Sequence, residues 1–109
     1  MTTAPEPTLT GVDWLESGDA RITLRHPLRV DGKETATLIM RCPSLLDIEA
    51  METLTGPDMA REKATVAGWC SITTEELNAI KWPDYRRLQQ VYVAYCAGTA
   101  GNFTGMSAA

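Results

Sequence analysis

Ile22, Leu24 and His26 fall on one parity of the segment that begins at Arg21, and Ala36, Leu38 and Met40 fall on the same parity beyond Asp31-Gly32. A period of two marks a half-buried strand, so the pattern predicts an antiparallel β-hairpin. Opposed residues share a face, and holding even positions against even positions requires an odd loop. A three-residue loop, Val30-Asp31-Gly32, meets that condition and pairs Leu24 with Leu38 and Ile22 with Met40. A two-residue Asp-Gly turn is the commoner connection for this dipeptide, but it would set Leu24 against Ile39. Pro27 has no amide proton and is expected to face outward on an edge or to sit at a bulge. His26, on the inward parity, is expected to be partly buried and bonded to backbone.

After Arg41 the period lengthens. Cys42-Pro43-Ser44 ends the strand, Ser44 is a good N-cap, and Asp47 stands three residues on in a capping-box position. The spacing predicts a helix of about three turns closed by Gly56-Pro57, although Leu45, Ile48, Met51 and Leu54 spread too widely to define one buried face. Pro57 and Asp58 suit the start of a second helix with Met59, Val66, Trp69 and Cys70 in one arc. Ala60, Ala64 and Ala67 give it a small-residue stripe, so packing on two sides is expected. Thr73 and Glu76 form a second capping box, which opens a short helix through Leu77 and Ile80. Trp82-Pro83-Asp84 restarts the chain as a last helix to about Ala97, with Tyr85, Leu88, Tyr92, Tyr95 and Cys96 along one arc. The fold class is therefore α+β: an N-terminal antiparallel β-hairpin followed by a bundle of three to four short helices.

The flanks look different. The first eight residues offer nothing to bury and are expected to be mobile; Val12, Trp14 and Leu15 are the first candidates for an anchor, followed by a turn at Ser17-Gly18-Asp19. From Gly98 the periodic signal stops, leaving Phe103 and Met106 as the apolar points of an end expected to be unstructured. This divides the chain into an arm over 1–20, one domain over 21–97 and a tail over 98–109.

Composition narrows the function. A 109-residue chain with 44% hydrophobic residues can bury a core without disulfides or metal. The net charge of −4 arises entirely within residues 1–20, where Glu6, Asp13, Glu16 and Asp19 meet no Lys or Arg. Such a field argues against nucleic acid, which is bound mainly by basic side chains. The longest apolar run, Val91 to Ala97, is far too short to span a bilayer, and no leader pattern opens the sequence, so a soluble, non-secreted protein is expected. Cys42, Cys70 and Cys96 are scattered and accompanied by a single histidine, so neither a metal centre nor a disulfide framework is expected. Glu75 and Glu76 are explained by capping, the glycines never form a phosphate loop, and His26 has no local nucleophile. The expectation is no enzyme activity, no cofactor, and a protein that works through its surfaces.

Two sets of residues are candidates for those surfaces. Arg21, Arg25, Arg29 and Lys33, with Arg41, share the odd parity of the hairpin and project opposite Leu24 and Leu38. They either guard an exposed sheet or dock an acidic partner segment, including that of a neighbouring copy. Trp69, Tyr85 and Tyr92 read as core at helical spacing, with Tyr92 also a contact candidate; Trp82 and Tyr95 are expected in an exposed groove, with Phe103 as an anchor into a partner.

Four segments then carry a resemblance. Ile22-Thr-Leu-Arg-His-Pro-Leu-Arg-Val-Asp-Gly, Leu38-Ile-Met-Arg-Cys-Pro-Ser-Leu-Leu-Asp-Ile, Trp69-Cys-Ser-Ile-Thr-Thr-Glu-Glu-Leu and Trp82-Pro-Asp-Tyr occur in an order that resembles the tail assembly chaperones of Mu-like and related contractile-tailed phages. The resemblance covers roughly residues 21–97, with Ile48 where Leu is usual. It implies a non-enzymatic protein of the host cytoplasm that keeps the long helical tape measure protein soluble before tail tube subunits polymerise around it, and that is absent from the finished particle. Family members are often also made in a longer form by frameshifting; the expected partner is the tape measure protein, with the tail tube protein and copies of the chain itself as further candidates, and no nucleic acid or membrane. A structural tail component retained in the virion, or a small oligomeric interaction module, are the alternatives. Binding is expected to be helix-in-groove, with many weak copies on one elongated partner.

Overall fold

The computed structural model describes residues 9–99, so the expectations for residues 1–8, Phe103 and Met106 lie outside the described residues. Three strands, β1 (Val12–Trp14), β2 (Ala20–Val30) and β3 (Lys33–Met40), form an antiparallel sheet in the order β1-β2-β3. Four helices follow: α1 (Leu45–Glu52), α2 (Asp58–Trp69), α3 (Thr74–Asn78) and α4 (Trp82–Ala97). The α+β class and the order of elements are as expected. The additional strand is β1, formed by the residues flanking Asp13 and returned to β2 by the Ser17-Gly18-Asp19 turn.

The hairpin register departs from the expected one. Asp31 and Gly32 both take positive φ, 52° and 77°, which is the two-residue turn whose twist matches a right-handed sheet. Glycine carries the second of these at no steric cost. Val30 consequently faces Lys33, Arg29 faces Glu34, and Leu28 faces Thr35. Nearer the open end Ile22 faces Leu38 and Ala20 faces Met40, not the Leu24–Leu38 and Ile22–Met40 pairs expected from a three-residue loop. The two registers are reconciled by a bulge, in which Leu24 to Pro27 on β2 span the gap that Ala36 alone fills on β3. Pro27 sits in that bulge, where its missing amide proton breaks no ladder bond. His26 is turned outward and exposed, against the expectation from its parity.

Asp84 holds the bulge. Its carboxylate is fully buried and accepts the amides of Arg25 at 2.8 Å and His26 at 2.9 Å, so the two donors left without ladder partners are satisfied from α4. The tip of the hairpin is tied down in the same way. Glu76 accepts the Thr73 amide at 2.9 Å within its capping box and the Asp31 amide at 2.7 Å across the fold. These two bonds hold its carboxyl below the usual range, the Thr73 contact foremost.

The core joins Ile22, Leu24, Leu28, Leu38 and Met40 of the sheet to Val66, Trp69, Leu77, Leu88 and Val91 of the helices. The arc on α4 runs through Tyr85, Leu88, Val91, Ala94 and Tyr95, leaving Cys96 exposed. Gly98 closes α4 in the left-handed conformation, with the Thr99 amide returning to the Ala94 carbonyl at 3.0 Å. Two expectations for α1 and α2 fail. The first helix has two turns, not three, and ends at Thr53; its Ser44–Asp47 capping box forms as expected. On α2, Met59 is 46% exposed, and Ala60 and Ala64 are exposed as well, so only the C-terminal half of this helix is packed.

Candidate functional site

Trp82 is the first residue of α4, where Pro83 is pre-organised for a helix start, and it is 58% exposed. Its ring stacks on Tyr85 one turn further, with centroids 5.9 Å apart and planes at 22°. Tyr85 is buried because its hydroxyl finds a partner: it donates to the Glu62 carboxylate on α2, which also accepts Gln89 Nε2 at 3.0 Å. Burial first, and the neighbouring Glu62 second, push the Tyr85 hydroxyl well above its usual range. This bond fixes α2 against α4, and the gap left between their first turns is closed from below by Leu77 of α3.

The result is an open apolar groove of about 180 Å³, walled by Met59, Ile80 and Trp82, floored by Leu77 and Tyr85, with Lys63 and Asn78 at its rim. A space of that size is below the roughly 300 Å³ of small-molecule pockets and suits one or two apolar side chains of another polypeptide. Met59 was expected in the core. It became part of this surface because α2 leaves the sheet at its N-terminal end, which helical periodicity does not report.

The other aromatic candidates are elsewhere. Tyr95 is buried, not exposed in a groove as expected: its hydroxyl lies 2.7 Å from the Gly18 carbonyl and 3.3 Å from that of Met40, and its ring meets Trp14 and Trp69 edge-on. Tyr92 is half-buried against Trp69, centroids 5.7 Å apart, with its hydroxyl on the Met51 sulfur of α1 at 3.5 Å. Burial raises its hydroxyl to about 12. Both stiffen the molecule, and neither reaches the Trp82 groove.

The basic residues of the hairpin are exposed but do not form one stripe. Arg21 stands between Asp13 of β1 and Ile39 of β3, and Arg29 stands opposite Glu34 while donating to the Gly32 carbonyl at 2.8 Å. Arg25 projects from the bulge. The two-residue turn moves Lys33 opposite Val30, away from the side the three arginines share, because one position of register reverses a side chain's face. Arg41 is engaged in an ion pair with Asp47 at the start of α1.

A second apolar surface had no periodic signal. Leu45 and Leu46 are 75% and 72% exposed on α1, a helix with no buried residue at all. Its side toward the core is held by half-buried Ile48 and Met51. The blurred arc of this helix was the available clue, and it points to a helix that faces outward. Among the described residues no group of three or more His, Cys, Asp or Glu side chains is placed to hold a metal ion, and no helix is long and apolar enough to cross a membrane.

No curated protein and no solved structure matches the chain. The model of one protein family does match, over residues 21–96, a span that begins with the hairpin and ends one residue before the end of α4. That family is described as phage tail assembly chaperone proteins, E, or 41 or 14. Its role is one of assembly, which is what an α+β domain with exposed apolar side chains on its helices can perform, and the chain belongs to this phage tail assembly chaperone family.

Proposed function

We propose that this protein binds the tape measure protein in the host cytoplasm, keeps it soluble while the tail is assembled, and leaves before the particle is complete. The observation that carries the reading is the conjunction of the family match with the groove between α2, α3 and α4, whose exposed Trp82 and Met59 surround a space sized for side chains. A long helical partner presents apolar residues at helical intervals, and the groove accepts them one or two at a time. Each contact is then weak. Several copies on one elongated partner hold it through effective concentration, and weak single contacts let tube subunits displace them.

Trp82 and Met59 are the binding residues in this reading, with the hairpin arginines Arg21, Arg25 and Arg29 steering a partner that carries acidic groups. Tyr92, two turns beyond Tyr85 on the same side of α4, braces that helix against Trp69 and Met51. The test is co-expression with the tape measure protein of the same phage. A Trp82→Ala, Met59→Asp double variant is expected to retain its circular dichroism spectrum, since both side chains are largely exposed, and to lose tape measure protein from the soluble fraction and from pull-downs. Undiminished co-purification would remove the groove from the reading. Mass spectrometry of purified particles tests the rest: presence of this chain in stoichiometric amount would mark a structural tail component instead.

A further inference from the structure

The sheet has two edges, one formed by the three-residue β1 and the other by β3. β1 lies along one side of β2 and β3 along the other, so among the described residues the outer side of β3 faces no further strand. Its last backbone contact is at the far end, where the Arg41 amide donates to the Trp69 carbonyl at 2.8 Å. Edge strands in proteins that stay apart are guarded by lysine, proline or a bulge. Here Lys33 and Glu34 sit at the turn, the bulge and Pro27 are on β2, and Thr35 to Met40 reads Thr-Ala-Thr-Leu-Ile-Met with neither charge nor proline. Ile39 is 42% exposed. A cavity of about 410 Å³ is lined by Thr37, Leu38 and Ile39 together with Trp69 and Ile72. Successive side chains of a strand point to opposite faces, so a cavity touching three in a row runs along the strand's edge.

We propose that this edge is where two copies of the chain associate, one β3 pairing antiparallel with the other to give a continuous six-stranded sheet. The ends of the strand carry the complementary charge. Lys33 and Glu34 stand at one end, and Arg41 in its ion pair with Asp47 stands at the other. Antiparallel alignment brings Glu34, on the face that Arg29 and Ile39 share, beside the partner's Arg41. The two-fold axis repeats that match at both ends. Parallel alignment would set Lys33 against Lys33 and Arg41 against Arg41. The strand is also long enough, at eight residues, to exchange a full ladder of backbone bonds.

Sedimentation velocity and hydrogen exchange on the full chain, each over a concentration series, test this. The expected result is a dimer that weakens with added salt, with the amides of residues 35–40 exchanging more slowly as concentration rises. Ile39→Lys places a charge on an exposed position and should give a folded monomer; Thr37→Lys serves the same purpose should the first variant lose its fold. A chain that is monomeric throughout overturns the proposal. So does a dimer whose β3 amides exchange at the monomer's rate, or one that survives either lysine in a folded variant. A monomer whose β3 amides are protected only on addition of a tail protein also overturns it, in favour of strand addition by a different chain.

Discussion

Asp84 is a carboxylate buried without a cationic partner among the described residues, and its place in the fold rests on two backbone amides at the bulge. Such bonds to a charged acceptor are stronger than neutral ones, and removing the acceptor strands both donors. Asp84→Ala is expected to destabilise the domain by about 3 kcal/mol, read as a lower urea midpoint at unchanged slope. Asp84→Asn keeps one carbonyl oxygen and should fall between the two. An Asp84→Ala variant with wild-type stability would mean that the bulge is held by something else. None of this was legible beforehand, because an aspartate in the first turn of a helix is explained by the helix dipole alone. The parity of Ile22, Leu24, Leu38 and Met40 did identify buried positions correctly, while the strand pairing it suggested was wrong. Burial depends on each residue's own face, whereas register depends on how many residues lie between.

At the scale of elements, the chain's capping signals were reliable. Ser44 with Asp47 and Thr73 with Glu76 form the reciprocal bonds their spacing predicts, since every atom involved lies within one turn. Pro27 marked the place of a bulge, but the bulge's length, the half-exposed α2 and the strand β1 were not legible, because each is decided by what packs against it. α1 is the most weakly held helix, with no buried side chain and one ion pair at its start. The Arg41 guanidinium, and after it the Ser44 amide, lower the Asp47 carboxyl from 3.8 to about 2. A lowered carboxylate stabilises the folded state above its ordinary value and loses that effect as pH falls toward the folded one. The anchoring of α1 is therefore expected to be complete above about pH 4 and to fade between pH 4 and 2. NMR of the α1 amides should show selective broadening in that window, and Asp47→Asn should show it already at neutral pH. Uniform behaviour of α1 and α4 across the range would contradict this.

For the molecule as a whole, the three thiols report depth. Burial pushes Cys70 up to about 12, Cys96 is exposed on α4, and Cys42 is half-buried after β3. Alkylation requires both access and thiolate. Cys96 should be labelled first in the native state, and Cys70 only when urea opens the whole domain, as peptide mass spectrometry would show; rapid native labelling of Cys70 would mean that the core opens locally. The family role was legible as an order of motifs, and the placement of Trp82 was legible as an aromatic at a helix restart. The separation of Tyr92 and Tyr95 from it was not, since the residues of one helical arc can serve an interior as well as a surface. The surplus residues of β2 carry one more consequence. A chain shortened by three positions within 24–27 would regain an unbroken ladder, yet its carboxylate at the start of α4 would then face apolar walls with nothing to bind. Strand length and interior charge are thereby coupled, so that a deletion in the one is tolerable only alongside a neutral replacement in the other.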